Sequence, residues 1–85
     1  MDLQELNQLL KENGIPEAWY SINDGLKPGA CILYKNDPVW EFFYLDERGN
    51  RVDYKTFADE AEAYRHLWEK MRYQLKVAAL LPWVK

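Results

Sequence analysis

One cysteine, Cys31, and one histidine, His66, are all that 85 residues offer of the thiol and imidazole side chains that build most transition-metal sites. A lone cysteine excludes an internal disulfide and a cysteine-based metal site, and a lone histidine cannot complete a zinc shell. Absence of disulfides suits a reducing compartment. Long hydrophobic runs are missing too: the longest, VAALLPWV from Val77 to Val84, falls far short of the roughly 20 residues that cross a bilayer. The opening MDLQELNQLL carries two acids and no basic residue before its leucines, so it does not read as a secretory signal. These absences predict a soluble cytoplasmic protein without membrane attachment. Glycine is sparse, and Gly25 and Gly29 in NDGLKPG are not followed by the Lys-Ser or Lys-Thr of a phosphate loop. DERGN, residues 46 to 50, lacks the twelve-residue ligand spacing of a calcium loop. No cofactor and no metal is expected.

Candidate nucleophiles are equally few. Ser21 and Cys31 sit in no nucleophile-elbow or Cys-His signature, and Cys31 reads as a small buried hydrophobe. Glu62 and His66 are one helical turn apart, a spacing that describes an exposed helix contact rather than a catalytic dyad. An enzyme is therefore not expected.

Aromatic residues, by contrast, are plentiful: four Trp, six Tyr and three Phe, with an overall hydrophobic fraction of 48%. That composition describes one compact domain with a ring-rich core, just above the size at which a single core suffices. The net charge of −3 is unevenly spread. Residues 37 to 62 carry eight acidic and three basic side chains, whereas residues 63 to 85 carry one acidic and five basic. An acidic middle disfavours nucleic acid there, because phosphate binding needs clustered Lys and Arg. It fits a cationic partner, the alternative being ordinary solvated charge.

Asp2 and Glu5 have capping-box spacing, Leu3, Leu6, Leu9 and Leu10 form one stripe, and Gly14 with Ile15-Pro16 supplies a stop, which predicts a three-turn helix. Residues 18 to 22, 30 to 35, 39 to 45 and 51 to 55 read as strands by their aromatic and β-branched content and by the turn residues between them. Asp59 and Glu62 repeat the capping box, opening a helix to about Ala79 in which Ala61, Tyr64, Trp68, Met71 and Leu75 recur at steps of three or four. The order α-β-β-β-β-α predicts a single-domain α+β two-layer sandwich, with both helices on one face of a four-stranded antiparallel sheet and residues 79 to 85 as a tail. Its expected core is Trp40, Phe42, Tyr44, Tyr64, Trp68 and Met71.

In PVWEFFYLDERGNRVDY, residues 38 to 54, the first strand has large apolar side chains on both faces. With Trp40, Phe42 and Tyr44 toward the helices, the outer face is expected to show Leu33, Lys35, Glu41, Phe43, Leu45, Arg51 and Asp53. Apolar residues ringed by charge describe a protein-binding surface. The candidate contacts are Glu41, Phe43, Leu45, Asp46, Glu47 and Asp53.

GIP at 14 to 16, WYSI at 19 to 22, GL at 25 and 26, WEFFY at 40 to 44, ERG at 47 to 49 and Phe57 before EAEA at 60 to 63 resemble, in order and spacing, the small immunity proteins of bacterial polymorphic toxin and contact-dependent inhibition systems, specifically immunity protein 59. Ala61, His66 and Leu67 depart from that pattern. The resemblance implies a cytoplasmic protein that neutralises a cognate toxin domain by occluding its active site or substrate entry, without catalysis. It carries over no particular contact residue. The alternative is a small intracellular adaptor or homodimerising module using the same open sheet.

Overall fold

The computed structural model describes residues 1–80 and has the expected order: α1 (Leu3–Glu12), a 3₁₀ turn (Glu17–Trp19), β1 (Tyr20–Ile22), β2 (Ala30–Asn36), β3 (Val39–Leu45), β4 (Arg51–Phe57) and α2 (Glu60–Leu80). Residues 79 and 80 thus belong to α2, and the rest of the expected tail lies outside the described residues.

Local chemistry sets the helix ends. The Asp2 carboxylate accepts from the Glu5 amide at 2.7 Å, satisfying a free N–H of the first turn of α1. At the other end Gly14, at φ +66°, reverses the chain so that the Ile15 amide reaches the Leu10 carbonyl at 3.0 Å and the Ile15 side chain closes over the core. The Asp59 carboxylate accepts from the Ala61 amide at 2.9 Å and caps α2.

The sheet runs β1-β2-β3-β4 in space and is mixed. β2–β3 and β3–β4 are antiparallel, but β1 pairs parallel to β2, Tyr20 opposite Cys31 and Ile22 opposite Leu33, which corrects the all-antiparallel expectation. Residues 23 to 29 are too many for a tight hairpin turn and long enough to return the chain about 10 Å to the start of β1, so β2 sets off in the same direction. That loop is pinned. Ser21 Oγ donates to the Gly25 carbonyl at 2.8 Å, Asn23 Oδ1 accepts from the Lys35 amide at 2.9 Å, and Lys27 Nζ reaches the carbonyls of Glu17 and Tyr20.

Both helices cover one face of the sheet. There Leu6 and Leu10 of α1 meet Ala63, Tyr64, Leu67 and Met71 of α2 over Cys31, Leu33, Trp40 and Phe42. Trp40 packs edge-on to Tyr64, with centroids 5.2 Å apart. Of the expected core, Trp40, Phe42, Tyr64 and Met71 are buried, while Tyr44 and Trp68 are only half-buried. The centre of the α2 stripe is Leu67, not Trp68: the sequence pattern placed its axis about one position too far along, because it gave the small Ala63 no weight.

The outer face carries a second, smaller cluster of Ala30, Ile32, Phe43 and Leu45, with Tyr34 against it.

Candidate functional site

The register across the β2–β3 hairpin decides what the outer face presents. Asp37-Pro38 is a two-residue connection, so Asn36 pairs with Val39, Tyr34 with Glu41, Ile32 with Phe43 and Ala30 with Leu45. Residues directly opposite share a face. Ile32 and Tyr34 therefore lie outside, and Leu33 and Lys35 alternate to the helix side, the reverse of the expected placement, although Lys35, near the exposed end of β2, still borders the outer groove. A turn counted as three residues slips β2 by one, and a slip of one turns over every side chain.

A bulge corrects β4 in the same way. Glu41 pairs with Thr56 and Leu45 with Arg51, but Asp53 and Tyr54 together oppose Phe43. Asp53 takes φ +57°, a left-handed conformation that aspartate tolerates better than most residues. The extra residue sends Asp53 to the helix side, where it lines a cleft with Cys31, Phe42, Tyr44, Lys70 and Tyr73, and leaves Arg51 and Tyr54 outside.

Phe43 is the floor of the outer face and is 0% exposed. Tyr34 meets it edge-on, Tyr54 stacks beside it, and the Arg51 guanidinium lies 4.6 Å above the ring centroid. Such a cation over a ring face is attracted by the ring quadrupole while its N–H edges stay available. Glu41 is only 7% exposed. Its Oε2 accepts from Tyr34 Oη at 2.7 Å and Asn36 Nδ2 at 2.6 Å, and its Oε1 accepts from Tyr54 Oη. Those three donors, led by Tyr54, hold the Glu41 carboxyl below its usual range, and the same contact raises the Tyr34 and Tyr54 hydroxyls. The carboxylate is thus spent internally, bracing β2, β3 and β4 at one point.

Of the six candidate contacts, Glu41, Phe43 and Leu45 do share the outer face, but as its buried foundation rather than its exposed rim. Asp46 is half-buried in the β3–β4 turn, where its Oδ1 accepts from the Arg48 and Asn50 amides. Glu47 is exposed at the tip of that turn, and Asp53 faces away. Sequence reading did not single out Tyr34, Tyr54 or Leu26. Leu26, 61% exposed, projects from the pinned loop over Ile32 and Tyr34, forming one wall of a groove of about 440 Å³ that reaches Lys35 and Arg51. The two-residue turn was a legible signal for Tyr34; nothing local announces Leu26.

The remaining candidate reactive groups, Cys31 and His66, pack on the helix side of the sheet. Burial pushes the Cys31 thiol up to about 11, keeping it protonated at neutral pH. His66 packs against Phe42 and Phe57, with centroids 4.5 and 5.1 Å away, and its buried Nε2 has no hydrogen-bond partner. Burial, then Lys55 and Lys70, lower its pKa, so the ring is neutral. No group of three or more His, Cys, Asp and Glu able to hold a metal occurs among the described residues.

The outer face thus combines an aromatic floor, a polar brace and an adjoining groove. Compared with curated proteins, 46 residues of this chain are 46% identical to "Transmembrane protein 102" of Bos taurus, over 54% of this chain and 8% of that protein. The chain therefore spans only about 8% of that relative's length. This likeness to a eukaryotic protein overturns the resemblance to bacterial immunity proteins and leaves the toxin-directed role that rested on it without support. The motifs behind that resemblance are two to five residues long, and aromatic strands and EAEA helix starts recur for structural reasons alone. No family model matches the chain, and no solved structure matches it. Among the described residues no helix is long and apolar enough to cross a membrane.

Proposed function

We propose that this chain is a non-catalytic protein-binding domain whose contact surface is the sheet face opposite the helices. The observation that supports this most is the second apolar cluster. Ala30, Ile32, Phe43 and Leu45 are buried on a face that neither helix covers, beneath the exposed rims of Tyr54 and Leu26. A half-exposed aromatic residue and an exposed leucine beside a braced floor are the anchors protein interfaces use, because a rigid ring buries large area at small entropic cost. The Glu41 hydrogen bonds fix the surface in advance, which removes part of the ordering cost of association.

Affinity capture with wild-type protein and with Leu26→Asp and Tyr73→Ala variants tests this, each recovered protein being identified and retitrated in pure form by calorimetry. Leu26 stands on the outer face and Tyr73 on exposed α2. The expected result is a partner bound at least about tenfold more weakly by Leu26→Asp, a loss of about 1.4 kcal/mol, and equally well by Tyr73→Ala. The reverse pattern, or no partner for any of the three, contradicts the proposal. A homodimer that Leu26→Asp dissociates in sedimentation identifies the partner as a second copy.

A further inference from the structure

The acidic sequence between residues 37 and 62 suggested a cationic partner, but charge counted along a chain is not charge presented by a face. The acids near the outer surface are engaged or turned away from the groove, and Glu47, exposed at the tip of the β3–β4 turn, does not line it. Glu41 has both oxygens occupied and lies beneath its donors. Asp46 caps its own turn, and Asp53 is carried to the helix side by the bulge. Asp37, exposed beyond the end of β2, pairs with Lys35 at 3.4 Å, a surface contact that a competing carboxylate can displace at little cost. Asp24 lines the opposite side of its loop, with Tyr20 and Lys27.

What remains in the groove is basic and apolar. Leu26, Ile32 and Tyr34 form its walls and floor, Lys35 and Arg51 stand at its margin, and no acidic side chain lines it. Arg51 forms no ion pair among the described residues. Its guanidinium sits over the Phe43 ring and beside the Tyr34 hydroxyl, which sets its position before any partner arrives and leaves the N–H groups not turned to Tyr34 to engage a carboxylate. The groove wall is equally fixed, through the bonds that Ser21 and Asn23 make to Gly25 and Lys35.

We infer that the groove between the Asn23–Gly29 loop and the outer side of β2 binds an acidic peptide segment, seating one large apolar side chain against Leu26, Ile32 and Tyr34 and a neighbouring carboxylate on Arg51. The segment's charge is thus opposite to that expected from the local sequence. This inference rests on the outer-face reading and adds the chemistry of the occupant.

The probe is a phage-displayed library of random dodecapeptides, selected against the immobilised full chain and, in parallel, against its Arg51→Glu and Lys35→Glu variants, each first shown by circular dichroism to melt cooperatively. The expected outcome is enrichment on the wild type of Asp and Glu flanking a single Leu, Phe or Trp. Synthetic peptides of that kind should bind at least about tenfold more weakly to Arg51→Glu, less weakly to Lys35→Glu, and lose affinity as salt rises. Enrichment of Lys and Arg, lost on Leu26→Asp, overturns the acidic occupant while leaving the outer-face reading intact. Peptides indifferent to Leu26, Lys35 and Arg51 together overturn both. Failure to enrich any sequence overturns the inference of a preformed peptide groove. If Arg51→Glu does not fold, Lys35→Glu carries the comparison, since the Lys35 side chain is 53% exposed.

Discussion

Replacing Phe43 with alanine separates two meanings that its position in the sequence allows. If the ring were a bare contact awaiting a partner, its removal would weaken binding and leave the fold alone. In the structure it is fully enclosed by Ile32, Tyr34, Tyr54 and the Arg51 guanidinium, so truncation leaves a cavity that those groups can only partly fill. Phe→Ala at such a site costs about 3–5 kcal/mol through lost transfer energy and the cavity. A domain of 85 residues has a total stability of about 4–13 kcal/mol. The change should therefore remove about a quarter or more of it, and lower Tm by about 12 °C or more at the usual 4–8 °C per kcal/mol for this size. Urea and thermal melts followed by circular dichroism read this directly, with Leu26→Asp as a control on the same face expected within about 0.5 kcal/mol of wild type. A Phe43→Ala protein melting within 2–3 °C of wild type, about the effect of a surface change, would show that the second cluster does not hold the outer face together.

Other expectations bear on the rest of the molecule. Leu67→Ala should cost about 2.7–5 kcal/mol in a urea melt, since Leu67 is fully buried at the centre of the α2 stripe, whereas Tyr73→Ala on the exposed side should change stability by no more than about 0.5 kcal/mol; equal effects would mean the stripe is misplaced. Glu41→Gln should lower Tm, because an amide presents a donor to a pocket already filled by three donors, and an unchanged Tm would deny the brace. Acid should destabilise the fold in two stages. His66 has a folded pKa below its ordinary 6.5, so the unfolded chain binds the extra proton and stability declines as pH falls below that value; Glu41, also depressed, keeps its contribution above the ordinary carboxylate range and loses it as pH falls through its folded value. His66→Gln should abolish the first decline in Tm measured between pH 7 and 5. Cys31 should resist thiol reagents at pH 8 until denaturant is added, and prompt labelling of the native protein would place it outside the core.

Much of this was legible in the sequence. Asp2, Gly14 and Asp59 mark the helix ends because caps are local chemistry, and Trp40 and Phe42 declare the inner face of β3 by alternation alone. Parallel β1 was not legible: nothing in NDGLKPG distinguishes a loop that doubles back from one that turns. The outer face failed at two points where one residue decides everything, the length of the Asp37-Pro38 connection and the bulge at Asp53. Each shifts a strand's alternation, which exchanged Leu33 for Ile32, Lys35 for Tyr34 and Asp53 for Tyr54 on the presumed surface. The sign of the surface went with them. Glu41 reads as a free acid in WEFFY, and only the fold brings Tyr34, Asn36 and Tyr54 around it.

We place partner binding on the sheet face opposite the helices. The most direct test of that placement is a two-dimensional ¹H–¹⁵N spectrum of the full chain, titrated with the tightest acidic peptide from the selection. Shifts concentrated on the amides of Asn23 to Leu26, Ile32 to Lys35 and Arg51, with those of α1 and exposed α2 unmoved, are the predicted result. Shifts centred on the outer surfaces of the helices, around Gln8 or Tyr73, with the amides of β2 unmoved, would contradict it.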